Sequence, residues 1–251
     1  HLAVEQEAFE LYYQPKINLN TGLMSGAEAL LRWQDETGQF VSPEIFVLKL
    51  EEMGLIDKVG TWIIEQVCKE ARIIHETYTL EHKFSIAINL SMRQLADPNI
   101  ANILKTILEK YELTGEHIEV EVTESMMMGD PATTIAQLNA IHDLGISIAI
   151  DDFGTGYSSL GYLQDFPINT LKVDKSFTQK VESCDSSEKI VKAIVSLAKT
   201  LKLNIVAEGV ENEAQLNFLR ELNCDMIQGF FYSKPLPTKE LVKLMNKKWH
   251  E

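Results

Sequence analysis

The sequence is poor in several features that would place it in large protein classes. It has three cysteines in 251 residues, Cys68, Cys184 and Cys224, far apart and odd in number. That argues against a disulfide framework, and no CxxC pair offers a zinc site, so a reducing cytoplasm is the expected compartment. Long apolar runs are missing too. Runs such as residues 146–150 fall far short of the roughly 20 residues of a bilayer span, and no charged-then-apolar start reads as a secretory leader. No membrane insertion by this domain is expected. Basic residues are outnumbered, 23 Lys and Arg against 37 Asp and Glu, for a formal net charge of −14. A nucleic-acid polymer selects a basic face, so such a partner is not expected, whereas a small anionic substrate held through metal ions remains compatible. There is no Pro/Ser/Gly-rich linker and no block of like charge, so residues 1–251 are read as one domain. At 45% apolar and 24% charged residues the chain has the composition of a folded globular protein.

What is present is an alternation. Residues 10–17, rich in Tyr, Leu and Ile, an Asn20-Thr21-Gly22 turn and residues 23–33 predict a β-hairpin. Val59, Trp62, Ile63, Val67, Ala71 and Ile74 recur at three- and four-residue steps and predict a helix with one buried face. Short apolar runs then follow at 84–90, 118–122, 146–150, 169–173, 204–207 and 226–231, most of them separated by amphipathic stretches. One stretch starts at Asp130-Pro131, a cap and first-turn proline, and ends at Gly145. Another shows Ile190, Ile194, Leu197 and Leu201 on one face, a third Leu216, Leu219 and Leu222, and Leu241, Leu244 and Met245 mark a closing helix. Eight strands with intervening helices predict an α/β fold, a TIM-like (β/α)8 barrel, with an open doubly wound sheet as the alternative. The opening hairpin departs from a regular barrel, whose strands are all parallel. Gly154-Thr155-Gly156 lacks the third glycine of a dinucleotide loop, and no GxxxxGK[ST] occurs.

Polar residues stand where the strand runs end: Asn89, Glu121 and Glu124, Asp151-Asp152, Lys172 and Asp174, Glu208, and Gln228, with Glu28 inside the second hairpin strand. In a barrel the C-terminal strand ends converge on one mouth, so a single pocket is expected to collect these groups. Crowded carboxylates repel and tend to hold protons, a conflict that divalent cations resolve. Glu28, Asn89, Glu121, Asp151, Asp152 and Glu208 are oxygen donors, which suit magnesium, manganese or calcium rather than zinc. Two adjacent aspartates can serve two metals, and two cations roughly 3.5–4 Å apart polarise a phosphoryl group and lower the pKa of a bound water. Lys172 would add positive charge at the same centre, and Arg32 has the fork for a phosphate. Singly, each has an ordinary reading: Asp-Asp as a turn or cap, Lys172 as a surface charge, Glu28 as a core-edge ion pair, Met126-Met127-Met128 as packing. Their joint pattern carries the functional one.

The motifs also stand in order: YQP at 13–15, EALLRW at 28–33, NLS at 89–91, ExTES at 121–125, DDFGTGYSSL at 151–160, LKVD at 171–174, AEGVE at 207–211, QGFF at 228–231 and PLP at 235–237. From about Glu10 onward the chain resembles the EAL-domain cyclic-di-GMP phosphodiesterases. The resemblance implies a TIM-like barrel with one antiparallel strand and metal-dependent hydrolysis of cyclic-di-GMP to linear pGpG. It implies a two-metal site for Mg2+ or Mn2+, with Ca2+ inhibitory. It assigns metal binding to Glu28, Asn89, Glu121, Asp151, Asp152 and Glu208, and catalysis to Glu208, Lys172 and Asp152. Arg32 matches a phosphate-binding arginine, with Gln14 and Leu31 in the substrate groove and Gln228 lining the site. Glu124 and Glu211 match residues that hold the DDFGTGYSS loop, whose glycines allow it to flex. A homodimer through residues 162–167 is implied, as is an upstream sensor or GGDEF-type domain in a longer parent, of which this chain reads as a C-terminal fragment. Two departures are minor: the proline common after Phe46 is missing, and Asn169 replaces a frequent acid. Because some relatives only bind the dinucleotide, a non-catalytic receptor is the alternative; the filled ligand positions favour an enzyme.

Overall fold

The structure, a computed structural model, describes residues 8–78, 83–128, 130–156 and 163–249. Strands β1 (Phe9–Asn18) and β2 (Met24–Trp33) form the expected hairpin, in antiparallel register from Phe9↔Trp33 to Ile17↔Met24. Its turn is built as the sequence suggests. The Asn18 side chain accepts the amides of Asn20 and Thr21, and Gly22 takes a φ of 66°, where only glycine is unstrained. Six parallel strands follow: β3 (Ser85–Asn89), β4 (Ile118–Thr123), β5 (Ser147–Phe153), β6 (Thr170–Val173), β7 (Asn204–Ala207) and β8 (Met226–Ile227). The last returns to β1 through Ile17↔Ile227 and closes the barrel. β1 is therefore antiparallel to both its neighbours, as expected, and the open-sheet alternative falls away.

One strand is shorter than its apolar run. The expectation over 226–231 shrinks to Met226–Ile227 because the chain turns at Gly229, where an added Cβ would lie 2.1 Å from the Val210 carbonyl oxygen. Beyond it the backbone bonds to Val210 rather than to a strand ladder, with Phe231 N donating to Val210 O at 2.9 Å.

The outer layer comprises α1 (Pro43–Glu52), α2 (Ile56–Thr77), α3 (Met92–Leu95), α4 (Ile100–Lys110), α5 (Pro131–His142), α6 (Lys175–Thr178), α7 (Asp185–Leu201), α8 (Glu213–Glu221) and α9 (Thr238–Leu244). The core lies between these helices and the outer faces of the strands. On α2 the fully buried stripe is Val59, Ile64, Val67, Cys68, Ala71 and Ile74, and on α7 it is Val191, Ile194, Val195 and Ala198; Ile190, Leu197 and Leu201 flank it half-buried. A smaller cluster of Phe9, Phe46, Leu50, Ile56 and Val59 packs α1 under the open end of the hairpin, with Phe46 edge-on to Trp33 at 5.9 Å. The cysteines are free, and no helix among the described residues is long and apolar enough to cross a membrane.

Strand approach is tightest at Gly26, where an added Cβ would sit 2.6 Å from the Ser85 carbonyl oxygen of β3. Gly26→Ala is therefore expected to cost about 1–3 kcal/mol through forced backbone shifts, at roughly 2–4 °C of Tm per kcal/mol in a chain of this size. Thermal unfolding followed by circular dichroism measures it; an unchanged Tm would show that β2 and β3 part without cost.

Candidate active site

Strand β4 reads Ile-Glu-Val-Glu-Val-Thr. Successive side chains of a strand point to opposite faces, so Ile118, Val120 and Val122 go to the helix layer while Glu119 and Glu121 enter the barrel. Such alternation ordinarily marks a half-solvated strand, yet Glu119 and Glu121 are only 8% and 0% exposed. Their partners reach them across the interior. Lys172 of β6 places its ammonium 2.6 Å from Glu121, 2.9 Å from Glu208, 3.0 Å from Asp151 and 3.6 Å from Glu28, with no side-chain exposure. The surface-charge reading of Lys172 is thereby overturned. On the other side of Glu121, Lys16 of β1 donates to Glu121 Oε1 at 2.7 Å and to Glu119 Oε1 at 2.6 Å. Lys16 and Glu119 were not singled out in the sequence, although each stands two residues from an expected site residue, Gln14 or Glu121, and so shares its face.

Around the rim, Glu28 accepts from Asn89 Nδ2 at 2.8 Å and from Gln228 Nε2 at 2.6 Å, and the same Gln228 amide donates to Gln14 Oε1 at 3.1 Å. Gln228 Oε1 is buried without a hydrogen-bond partner among the described residues. Two groups of carboxylates bring one oxygen each within 4.8 Å of one another: Glu28, Glu121 and Asp151, and Asp151, Asp152 and Glu208. They share Asp151. Consecutive residues of a regular strand cannot face one site, and the register of β5 against β6 slips between Ile150 and Phe153. Asp152 takes a left-handed φ of 54° at this bulge, which brings both carboxylates to the mouth. A non-glycine residue in this region carries strain of order 1 kcal/mol, which the surroundings must enforce.

The buried charges hold one another far from their ordinary behaviour. Burial alone would discharge Lys172, but Asp151, Glu121, Glu208 and Glu28 outweigh it and keep the ammonium charged well above the usual lysine range. Burial likewise opposes ionised Glu121, and Lys16 and Lys172 more than offset it, leaving its pKa at about 2. Glu208 is pushed up to about 8, first by burial and then by Asp151 and Glu28, against the pull of Lys172. Asp152 rises to about 6 through burial, then Asp151 and Asp174. Glu28 also rises, by burial and the neighbouring Glu121.

The loop after β5 is tied down by Glu124, 4% exposed, whose Oε2 accepts from the Gly154 amide at 2.9 Å and the Gly156 amide at 3.4 Å. An added Cβ at Gly156 would lie 2.7 Å from Glu124 Oε1, so a side chain there would make the carboxylate shift. Glu124 thus meets the described start of the loop through amides. Thr155 donates its hydroxyl to Asp152 O rather than to Glu124, and Ser158 lies outside the described residues. Glu211 is exposed and accepts from Gln179 at 2.9 Å; its expected contact with residues 157–162 also falls outside the description. Leu31 is half-buried beside the smaller core cluster, and Arg32 donates to the Leu31 carbonyl at 2.9 Å with its guanidinium over Tyr12. No described contact joins Leu31 to the carboxylate cluster, whereas the Arg32 guanidinium feels the charge of Glu28. In the segment expected to meet a partner, Leu163 and Phe166 are buried within the chain itself, and Tyr162 is not described. Asn169 serves the sheet, accepting the Ile148 amide at 2.8 Å. Met127 is buried and Met126 packs on the core, as the packing reading had it.

The family model described as the EAL domain matches residues 1–235. The chain belongs to the EAL domain family. This EAL domain is 45% identical over 238 residues to the signaling protein YkoW of Bacillus subtilis, covering 95% of the chain and 29% of YkoW. It is 39% identical over 240 residues to the bifunctional diguanylate cyclase/cyclic di-GMP phosphodiesterase MucR of Pseudomonas aeruginosa, covering 96% of the chain and 35% of MucR. A solved c-di-GMP complex of the MucR phosphodiesterase superimposes with a TM-score of 0.91 at 39% identity, over 95% of this chain and 96% of that one. The EAL domain of Mycobacterium smegmatis DcpA does so with a TM-score of 0.81 at 33% identity, over 96% and 99%. The chain spans about a third of the length of these curated relatives.

The raised Glu208 has a consequence for the metal-free protein. An unfolded glutamate loses its proton near 4.5, whereas Glu208, facing Lys172, Asp151 and Glu28, keeps it to about 8. In that window the native state binds more protons than the unfolded one, so stability falls as pH rises. Asp152, moved from 3.8 to about 6, adds an effect of the same sign. The Tm in chelator is expected to drop across this range, and Glu208→Gln to flatten the drop; a level or rising profile in the parent chain would contradict the assignment.

Proposed function

We propose that this EAL domain hydrolyses cyclic-di-GMP to linear pGpG, with Mg2+ or Mn2+ held by Glu28, Asn89, Glu121, Asp151, Asp152 and Glu208. The observation that carries the reading is the pair of carboxylate groups sharing Asp151 at the barrel mouth, in a chain similar to a named c-di-GMP phosphodiesterase solved with that dinucleotide. The donors are all oxygens, and the orphaned Gln228 Oε1 adds another beside Glu28. Such a set fits hard divalent cations rather than zinc.

Bound there, two cations would polarise the phosphodiester and lower the pKa of the attacking water. The residues of the chain do the rest. Glu208 takes a proton from the attacking water as the water oxygen bonds to phosphorus; the bond from phosphorus to the 3′ oxygen breaks, and that oxygen leaves as a hydroxyl by taking up a proton from solvent. Lys172, 2.9 Å from Glu208, orients that carboxylate and offers positive charge as negative charge builds on the phosphate. Arg32 forks onto the second phosphate. Asn89 and Gln228 hold Glu28 by its two oxygens, and Gln14, bonded to Gln228, lines the groove with Leu31. Glu124 fixes the loop that carries Asp152, and Glu211 steadies its far side. The reading extends to a cytoplasmic setting, a homodimer, and a sensor or GGDEF-type domain elsewhere in the parent, in keeping with relatives about three times as long.

Incubation with cyclic-di-GMP and Mg2+ or Mn2+, followed by chromatography, is expected to yield pGpG. Asp151→Asn, which weakens both carboxylate groups at once, should lower kcat by roughly 100-fold or more, the several kcal/mol that a displaced metal is worth. Retained binding without product in the parent chain would identify a receptor instead. Glu124→Ala removes no proposed metal ligand but releases the Gly154 and Gly156 amides. Activity should fall about tenfold or more, about 1.4 kcal/mol, with a change in magnesium affinity or in the dimer equilibrium by sedimentation. Loss of activity with both unchanged would place Glu124 in the site itself.

A further inference from the structure

Below the carboxylate cluster the barrel interior continues as a ladder of alternating charge. From the mouth inward it reads Lys172, Glu121, Lys16 and Glu119, with contacts of 2.6, 2.7 and 2.6 Å, and the Thr170 hydroxyl closes it by donating to Glu119 Oε2 at 3.2 Å. Under the last rung lies a cavity of about 370 Å³ at the N-terminal strand ends, lined by Lys16, Glu119, Thr170 and Asn204 among others. The two oxygens of Glu121 are treated differently. Oε2 takes Lys172, the ammonium that also serves Asp151 and Glu208, while Oε1 takes Lys16 from the opposite side. Cations drawn to the mouth carboxylates compete with Lys172 for Oε2 and have no rival in Lys16, which sits behind.

We propose that Lys16 is a positioning residue for the metal site: it pins Glu121 by Oε1 so that Oε2 alone is presented to the mouth. This rests on the reading of Glu121 as a metal ligand. Three features support a dedicated role over a simple plug of the barrel. Lys16 adds its charge on the far side of a carboxylate that is 0% exposed. Glu119 cancels that charge from below, so the Lys16–Glu119 pair adds no net charge and leaves a dipole with its positive end toward Glu121. And the ammonium comes from β1, the one reversed strand, which lies across the barrel from β4 rather than beside it. Lys16 thus fixes Glu121 from a direction that no β4 neighbour supplies.

The test uses Lys16→Met/Glu119→Gln, which removes the pair together so that no charge is orphaned beneath Glu121, with Glu119→Gln alone as the control that leaves Lys16 on Glu121. Mn2+ affinity is measured by titration calorimetry, alongside kcat, KM and Tm. The double variant should lose Mn2+ affinity and kcat by at least tenfold each, with KM for cyclic-di-GMP within threefold, while the control stays within threefold of the parent throughout. Mn2+ affinity and kcat within twofold of the parent in a folded double variant would overturn the proposal and leave the pair as packing. If the double variant does not fold, Lys16→Arg decides: it keeps the charge but cannot place it at one point, so Mn2+ affinity should fall tenfold, and an unchanged value overturns the proposal. The parent chain separates the two readings. If it binds Mn2+ yet yields no pGpG, the activity fails while the Lys16 comparison still holds; if it binds no Mn2+, the metal reading fails and this one with it.

Discussion

Four carboxylates share one ammonium at the centre of the barrel, and the surrounding structure answers the electrostatic problem this sets. Moving an ion out of water costs several kcal/mol even after relaxation, recovered only when partners are close and well placed. Lys172 contacts Glu28, Glu121, Asp151 and Glu208 together, and a second ammonium backs Glu121 from below. TIM barrels commonly fill their interior with branched apolar side chains. Here the interior is given over to charge, so the outer faces of the strands must supply the cohesion. Ile86, Ile88, Val120, Val122, Ile148 and Ile150 are buried to within 1% and meet the helix layer.

The same constraint explains the irregular end of β5. A strand presents alternate residues to one face, but the mouth takes two consecutive aspartates. The slipped register and left-handed Asp152 turn the pair to one side. Glu124 then draws the next two glycine amides onto its carboxylate, so that a loop lacking regular pairing has its amides satisfied by a buried side chain. Strain and anchoring are two halves of one device: the first places the carboxylates and the second stops the backbone relaxing.

Much of this was legible from the amino acids. The hairpin, the helix periodicity of α2 and α7, and the polar residues closing each strand run follow from period and turn chemistry, which act over a few residues. Glu28, Glu121, Asp151 and Glu208 gather as expected because a closed barrel leaves strand ends only one place to go. The missed features depend on distant neighbours. Lys16 looks like one lysine in a strand until β4 and β6 are seen across the interior. Alternating Glu119 and Glu121 look like a solvent face, since a polar barrel lumen and water impose the same pattern on a strand. The truncated β8 and the added α1 reflect packing, against the Val210 backbone and against Trp33, to which local propensity is blind.

The backbone at Asp152 also bears on how such a chain drifts under mutation. A left-handed φ of 54° is tolerated cheaply by asparagine and glycine, poorly by alanine and least by β-branched residues. Substitutions accepted here are filtered by conformation before chemistry is tested. Loss of the carboxylate by a route that keeps the loop would therefore leave Asn or Gly as its trace, whereas Val, Ile or Thr would record a loop already rebuilt. One dihedral angle thus separates two histories of decay that an activity measurement alone would merge.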